Sequence, residues 1–176
     1  PAGNTAPVAQ NASAAGQEDA ASIAIKLTAS DVDGAIALFR LSTLPVGGTL
    51  YLSDPVLVPD AKPAATGIDY PAESGALMLF FRPAADFNGA PTFFFTASDG
   101  EATSNEAQAT ITVNAVNDAP VARTSMPGDV VVPEDNVVSF ALVGSDVDGT
   151  VAGIVVDSPP LHGRLEYQTS FGDWIV

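Results

Sequence analysis

The chain repeats itself, and that repetition limits its possible folds more than any other feature. Asn4-Thr5-Ala6-Pro7-Val8-Ala9 returns as Asn117-Asp118-Ala119-Pro120-Val121-Ala122. Gln17-Glu18-Asp19 returns as Pro133-Glu134-Asp135, and Ser30-Asp31-Val32-Asp33-Gly34 as Ser145-Asp146-Val147-Asp148-Gly149. Pro45, Gly48 and Leu50 come back as Pro160, Gly163 and Leu165. Four landmarks in order, at an offset of about 115 residues, define a tandem array in which each unit folds as one module.

A first repeat at 1–117 and a second at 118–176 follow. The second holds roughly half a unit, so its closing strands are expected in sequence beyond 176. The chain opens Pro-Ala-Gly-Asn, without an initiator Met or signal peptide, and reads as an excised piece of something longer.

Within the repeat the periodicity is that of β-structure. Ile23, Ile25 and Leu27 alternate with small or polar residues, and Val138, Phe140 and Leu142 restate that register. Strands are also expected at 7–10, 36–41, 49–52, 77–82, 92–98 and 108–114, bounded by Pro, Asn, Asp and Gly clusters. No stretch shows sustained helical spacing. The fold class is all-β: tandem Greek-key β-sandwich domains, the second incomplete. One segment, 53–75, fits poorly. It carries Pro55, Pro59, Pro63 and Pro71, and either hides an edge strand or forms a functional loop.

Composition narrows the chemistry. With 21 acidic against 6 basic residues and a net charge of -15, the chain is unsuited to nucleic acid or anionic membrane. It has no cysteine and one histidine, which removes disulfides, thiolate zinc sites and Cys nucleophiles. No apolar run is long enough to span a bilayer. The donors that remain are oxygens, so any bound metal is a hard one.

Alternating seven strands, A to G, between two poles sorts the acids. Asp31 and Asp33 in loop B–C, with Asp99 in F–G, gather where the chain enters the sandwich. Glu18 in A–B and Asp86 in E–F gather where it leaves. Through the linker 114–118 the leaving pole precedes the entering pole of the next repeat. The junction is therefore expected to concentrate Glu18, Asp86, Asn117, Asp118, Asp146 and Asp148. Like charges so gathered repel unless a cation neutralises them. Irregular cages of six or more oxygens suit Ca2+ better than magnesium. Asp-x-Asp-Gly alone is a common turn signal; its recurrence at a fixed offset is what points to a metal.

These residues also carry a resemblance. Asp-Val-Asp-Gly after Thr-Ala-Ser, the Glu-Asp before strand B, Ala-Ser-Asp-Gly at 97–100 and Val-Asn-Asp-Ala-Pro at the join look like cadherin repeats. More narrowly, with Phe81-Arg82-Pro83-Ala84-Ala85-Asp86-Phe87-Asn88-Gly89, they are similar to the cadherin-like tandem repeats of bacterial RTX-type (type I secreted) adhesins and biofilm-associated surface proteins. The resemblance covers the first repeat fully and the second as far as it goes. It implies calcium between successive domains, stiffening a rod. Glu18, Asp146 and Asp148 match ligands of the junction, while Asp31, Asp33 and Asp99 match ligands facing a preceding repeat. The linker has Val116 and Asn117 where the cadherin pattern has Asn and Asp, which implies one or two ions per junction.

The expected function is a calcium-rigidified extender of a large secreted adhesin on the bacterial surface, monomeric and not an enzyme. Its partners would be neighbouring repeats, with a host or biofilm ligand met by other domains. The alternative is a scaffold, split by an insertion after 176, that displays a carbohydrate- or peptide-binding site. Paired carboxylates can serve glycoside hydrolysis or aspartic proteolysis, but here they sit at the poles of separate domains. Asp148-Gly149-Thr150 lacks a protease context, and Gly47-Gly48-Thr49 lacks a phosphate-loop lysine. His162 reads as a turn residue, and Trp174 and Tyr167 as packing.

Overall fold

The computed structural model describes residues 3–125, 131–168 and 174–175. The chain divides into two compact units, Pro1–Val116 and Asn117–Val176. All regular structure among the described residues is β.

The first unit is a two-sheet sandwich. One sheet has the order β1-β3-β7-β5, built from Val8–Gln10, Ile23–Ser30, Ala76–Pro83 and Gly48–Tyr51. The other runs β2-β9-β8-β4-β6, from Ala12–Gln17, Ala107–Asn114, Thr92–Ser98, Leu38–Leu41 and Asp69–Pro71. Period-two alternation puts one face of each sheet in the core. From the first sheet come Ile25, Leu27, Leu79 and Phe81; from the second, Phe39, Leu41, Phe93, Phe95 and Ile111, all fully buried. Phe39 and Phe95 meet across adjacent strands, ring centroids 6.1 Å apart and tilted by 49°. Phe94, between two core phenylalanines, faces the other way and is half-buried.

Two features of this unit differ from the sequence expectation. The opening strand continues past Asn11 into β2, which changes sheets and pairs in parallel with β9 from Ala12↔Ala109 to Gln17↔Asn114. Its sequence, Ala-Ser-Ala-Ala-Gly-Gln, has no β-branched or aromatic residue, so propensity gives no signal. Small size is what the site needs: a Cβ on Gly16 would lie 2.5 Å from Ile23 Cγ1. The second difference is at 53–75, which is an ordered crossover between the sheet edges. Leu52 and Ala64 amides bond to Lys62 and Leu50 carbonyls, and the Tyr70 hydroxyl both accepts from Ala65 N–H (2.8 Å) and donates to Ala65 O (3.0 Å). The segment then forms β6, an edge strand on β4. Covering two edges is a structural task, and it accounts for the segment's length.

In the second unit β10 (Val121–Thr124) pairs antiparallel with β11 (Leu142–Ser145). The register Val121↔Ser145 restates Val8↔Ser30 of β1 and β3. β12 (Tyr167–Gln168) pairs with β13 (Trp174–Ile175). The strand expected from Val138 begins only at Leu142. In the first unit, β7 ladders β3 from Ile23 to Thr28 on its other side; among the described residues β11 has no such second partner. The consequence is visible at repeat-equivalent core positions. Leu27, Phe39, Leu41 and Leu50 are buried, whereas Leu142, Ile154, Val156 and Leu165 are 39–49% exposed.

Candidate functional site

The pole where the first sandwich begins is organised by carboxylates. Asp31 follows β3, and its Oδ1 accepts the amides of Asp33 and Gly34, both at 3.1 Å, closing an Asx-type turn. Asp31 Oδ2 is buried and has no hydrogen-bond partner. A Cβ at position 34 would stand 3.0 Å from Asp31 Oδ2 and press on the carboxylate. The Asp33 carboxylate turns back to accept the Thr5 amide at 3.2 and 3.1 Å. Asp99, in the β8–β9 loop, accepts from Glu101 N and Ala102 N at 2.7 Å and from Asn4 Nδ2 at 2.8 Å. These bonds, led by the Ala102 amide and then the Asn4 side chain, lower its pKa to about 2. Among the described residues, the carboxylates of Asp31, Asp33 and Asp99 do not close into a three-ligand cluster.

The second unit builds the same motif in itself. Asp146 Oδ1 accepts the amides of Asp148 (3.3 Å) and Gly149 (2.9 Å). A Cβ on Gly149 would stand 2.9 Å from Asp146 Oδ2. The Asp148 carboxylate accepts the Asp118 amide at 3.4 and 3.3 Å, as Asp33 does that of Thr5. Asn117 Nδ2 donates to Asp118 O at 2.7 Å. Asp118 thus occupies the repeat position of Thr5 and adds a carboxylate that the first repeat lacks.

At the opposite pole of the first unit, Glu18 is its one buried charged residue among those described, 3% exposed. Its Oε1 accepts Val116 N–H at 2.6 Å, and its Oε2 accepts Asn88 Nδ2 at 3.3 Å. The Glu18 amide bonds to Asn114 O at 3.0 Å, so backbone and side chain both fasten onto the end of β9. Asp86 is placed differently from Glu18. It is exposed, holds φ at 58°, and belongs to the turn closed by Phe87 N–H on Ala84 O. Asn88, two residues on, is the member of that loop that reaches Glu18. Sequence reading missed it because Asn-Gly is first of all a turn signal. Asn4, too, carries only a repeat signal in the sequence.

Chemically, the arrangement among the described residues supplies oxygen donors, several preset by backbone amides, with the buried Asp31 Oδ2 accepting no hydrogen bond. That set fits a hard cation.

Residues 4–113 match the family model described as Bacterial Ig domain, so the chain belongs to the bacterial Ig domain family. No curated protein matches it. Among solved structures, a conjugative transposon lipoprotein from Bacteroides eggerthii is 14% identical over 61% of this chain and 94% of that one, with a TM-score of 0.39. Murine CEACAM1b is 14% identical over 68% of this chain and 59% of its own, with a TM-score of 0.24.

Proposed function

We propose that this bacterial Ig-like chain is a calcium-rigidified extender segment of a large secreted adhesin, acting in cell adhesion or biofilm formation outside the cell. The observation that carries the reading is the duplicated turn: Asp31–Asp33–Gly34 closing on Thr5, and Asp146–Asp148–Gly149 closing on Asp118. At the position of Thr5, where the turn uses only the backbone amide, the second repeat carries a further acid, Asp118. Glu18, Asn117, Asp118, Asp146 and Asp148 would supply the junction ligands, with Asp86 beside them. Asp31, Asp33 and Asp99 would serve a junction with a preceding repeat.

The cation's role is mechanical. Carboxylates gathered around a short linker repel when bare; an ion that binds them favours the folded, ordered arrangement. At a hundredfold excess over its dissociation constant, one such ion contributes about 2.7 kcal/mol. That is a large share of a domain's usual roughly 5–15 kcal/mol.

A calcium titration followed by thermal unfolding tests this, with Asp146→Asn/Asp148→Asn as comparison. A calcium-dependent rise in the midpoint that the double variant loses is expected. An unresponsive midpoint in both proteins would reduce the Asp-x-Asp-Gly segments to turns.

A further inference from the structure

The outward face of the first unit's four-stranded sheet carries chemistry that a calcium-stiffened spacer does not use. Alternate residues of three strands point away from the core there: Ala24 and Lys26 on β3, Thr49 and Tyr51 on β5, Met78, Phe80 and Arg82 on β7. Register sets Phe80 directly opposite Tyr51 on one side and Ala24 on the other. Lys26 lies opposite Met78, and Arg82 opposite Thr49. Directly paired positions bring Cβ atoms to about 5 Å, so Tyr51 and Phe80 make a neighbouring, half-buried aromatic pair. A cation stands at each end of it, both exposed.

The charges make this face unusual. The first unit has four basic residues, Lys26, Arg40, Lys62 and Arg82, in a chain with 21 acids. Arg40 is engaged by Asp69, Nη2 to Oδ1 at 2.6 Å. Lys26 and Arg82, like the exposed Lys62 of the crossover, are in no ion pair among the described residues, and none of the seven positions named above is acidic. Two such cations, beside an aromatic pair on an acidic molecule, are matched to a ligand that brings both rings and carboxylates.

We propose that this face binds an acidic oligosaccharide. Sugar rings lay their C–H faces on Tyr51 and Phe80, and sugar carboxylates meet the Arg82 guanidinium and the Lys26 ammonium. A peptide adding as a strand is disfavoured, because β7 is hydrogen-bonded on both sides and its face offers no free backbone. A dense polyanion is repelled by the net charge of -15, so the ligand carries sparse carboxylates. Lys26 and Arg82 sit four strand positions apart, roughly 14 Å, and address separate sugars. The proposal stands without calcium.

The test uses the 176-residue chain in EDTA, with trigalacturonate and a sialyl trisaccharide as probes. Amide shifts are followed by NMR, and affinity by calorimetry. Binding of at least one probe, with shifts centred on Lys26, Tyr51, Phe80 and Arg82, is expected. Lys26→Gln/Arg82→Gln should weaken it tenfold or more without moving the melting midpoint, and Phe80→Leu should weaken it several-fold. Asp31→Asn/Asp33→Asn, which removes carboxylates from the calcium reading, should leave it unchanged. Shifts elsewhere, no binding of either probe, equal affinity for the methyl-esterified trisaccharide, or tighter binding of a penta-glutamate peptide would each overturn the proposal.

Discussion

Glu18 Oε1 accepts the backbone amide of Val116 at 2.6 Å, across 98 residues of sequence. The bond fixes the last residue of the first unit against the loop that follows β2. Because Glu18 is 3% exposed, deleting its side chain leaves the amide of half-buried Val116 and the Asn88 side chain without their acceptor. Glu18→Ala should therefore cost about 1–3 kcal/mol in urea unfolding, and Glu18→Gln less, since an amide oxygen can still accept. Asn88→Ala, removing only the 3.3 Å contact, should cost about 0.5–1 kcal/mol. Equal costs for Glu18→Ala and Asn88→Ala would mean that the Val116 bond contributes nothing.

Asp99 yields a prediction in pH. Its folded pKa, about 2, lies below the unfolded value near 3.8 because three donors converge on the ionised carboxylate. A depressed acid contributes stability that is complete above its unfolded pKa and is lost as pH falls through the folded one. The Asp99 contribution should thus be intact from neutral pH down to about 4 and disappear by about pH 2. Carboxyl NMR titration reads the value directly. Asn4→Ala, removing the second of the three donors, should move it upward; an unmoved titration would show that Asn4 does not hold the carboxylate in solution.

Much of this was legible in the chain, and the gaps have physical causes. Ile23, Ile25 and Leu27 announce β3, and the phenylalanines at 93 and 95 announce a central strand, because large apolar side chains at period two leave few alternatives. The poles followed from strand count alone: the loops bearing Asp33 and Asp99 do meet the chain's entrance at Thr5 and Asn4. β2 stayed hidden because its role, close packing of Gly16 on Ile23, requires residues with no propensity signature. Asn88 stayed hidden because a residue type that serves turns gives no hint of a long-range bond. The 53–75 crossover was read as a misfit because prolines suggested a loop, and pairing with two sheet edges is not written in periodicity.

The glycines of the duplicated turn separate fold from site. Neither Gly34 nor Gly149 has a positive φ, so alanine is tolerated by the backbone itself. Its Cβ, though, would press on Asp31 Oδ2 at 3.0 Å or Asp146 Oδ2 at 2.9 Å. Gly34→Ala and Gly149→Ala should each change the apo melting midpoint little, because a surface turn can give by a few tenths of an ångström. If the turns hold calcium, the same variants should weaken it by several-fold, read by calorimetry. A large apo destabilisation instead would mark the turns as structural in the first place.

The repeat also supplies its own control for burial. Leu27 and Leu142 are the same residue at equivalent positions, yet Leu27 is fully buried and Leu142 is 40% exposed. Leu27 packs in a closed core opposite Leu77, so truncation removes its contacts and opens a cavity that the sheets cannot fill. Leu27→Ala should cost about 2–5 kcal/mol. Leu142 has no covering sheet among the described residues, and truncation there removes a side chain that water already reaches. Leu142→Ala should cost less than about 1 kcal/mol. Hydrogen exchange of the β3 and β11 amides reports each unit separately: β3 protection should fall by orders of magnitude in Leu27→Ala, and β11 protection should barely move in Leu142→Ala. A comparable loss in β11 would mean that Leu142 is covered in solution and that the second unit closes its core by contacts of its own.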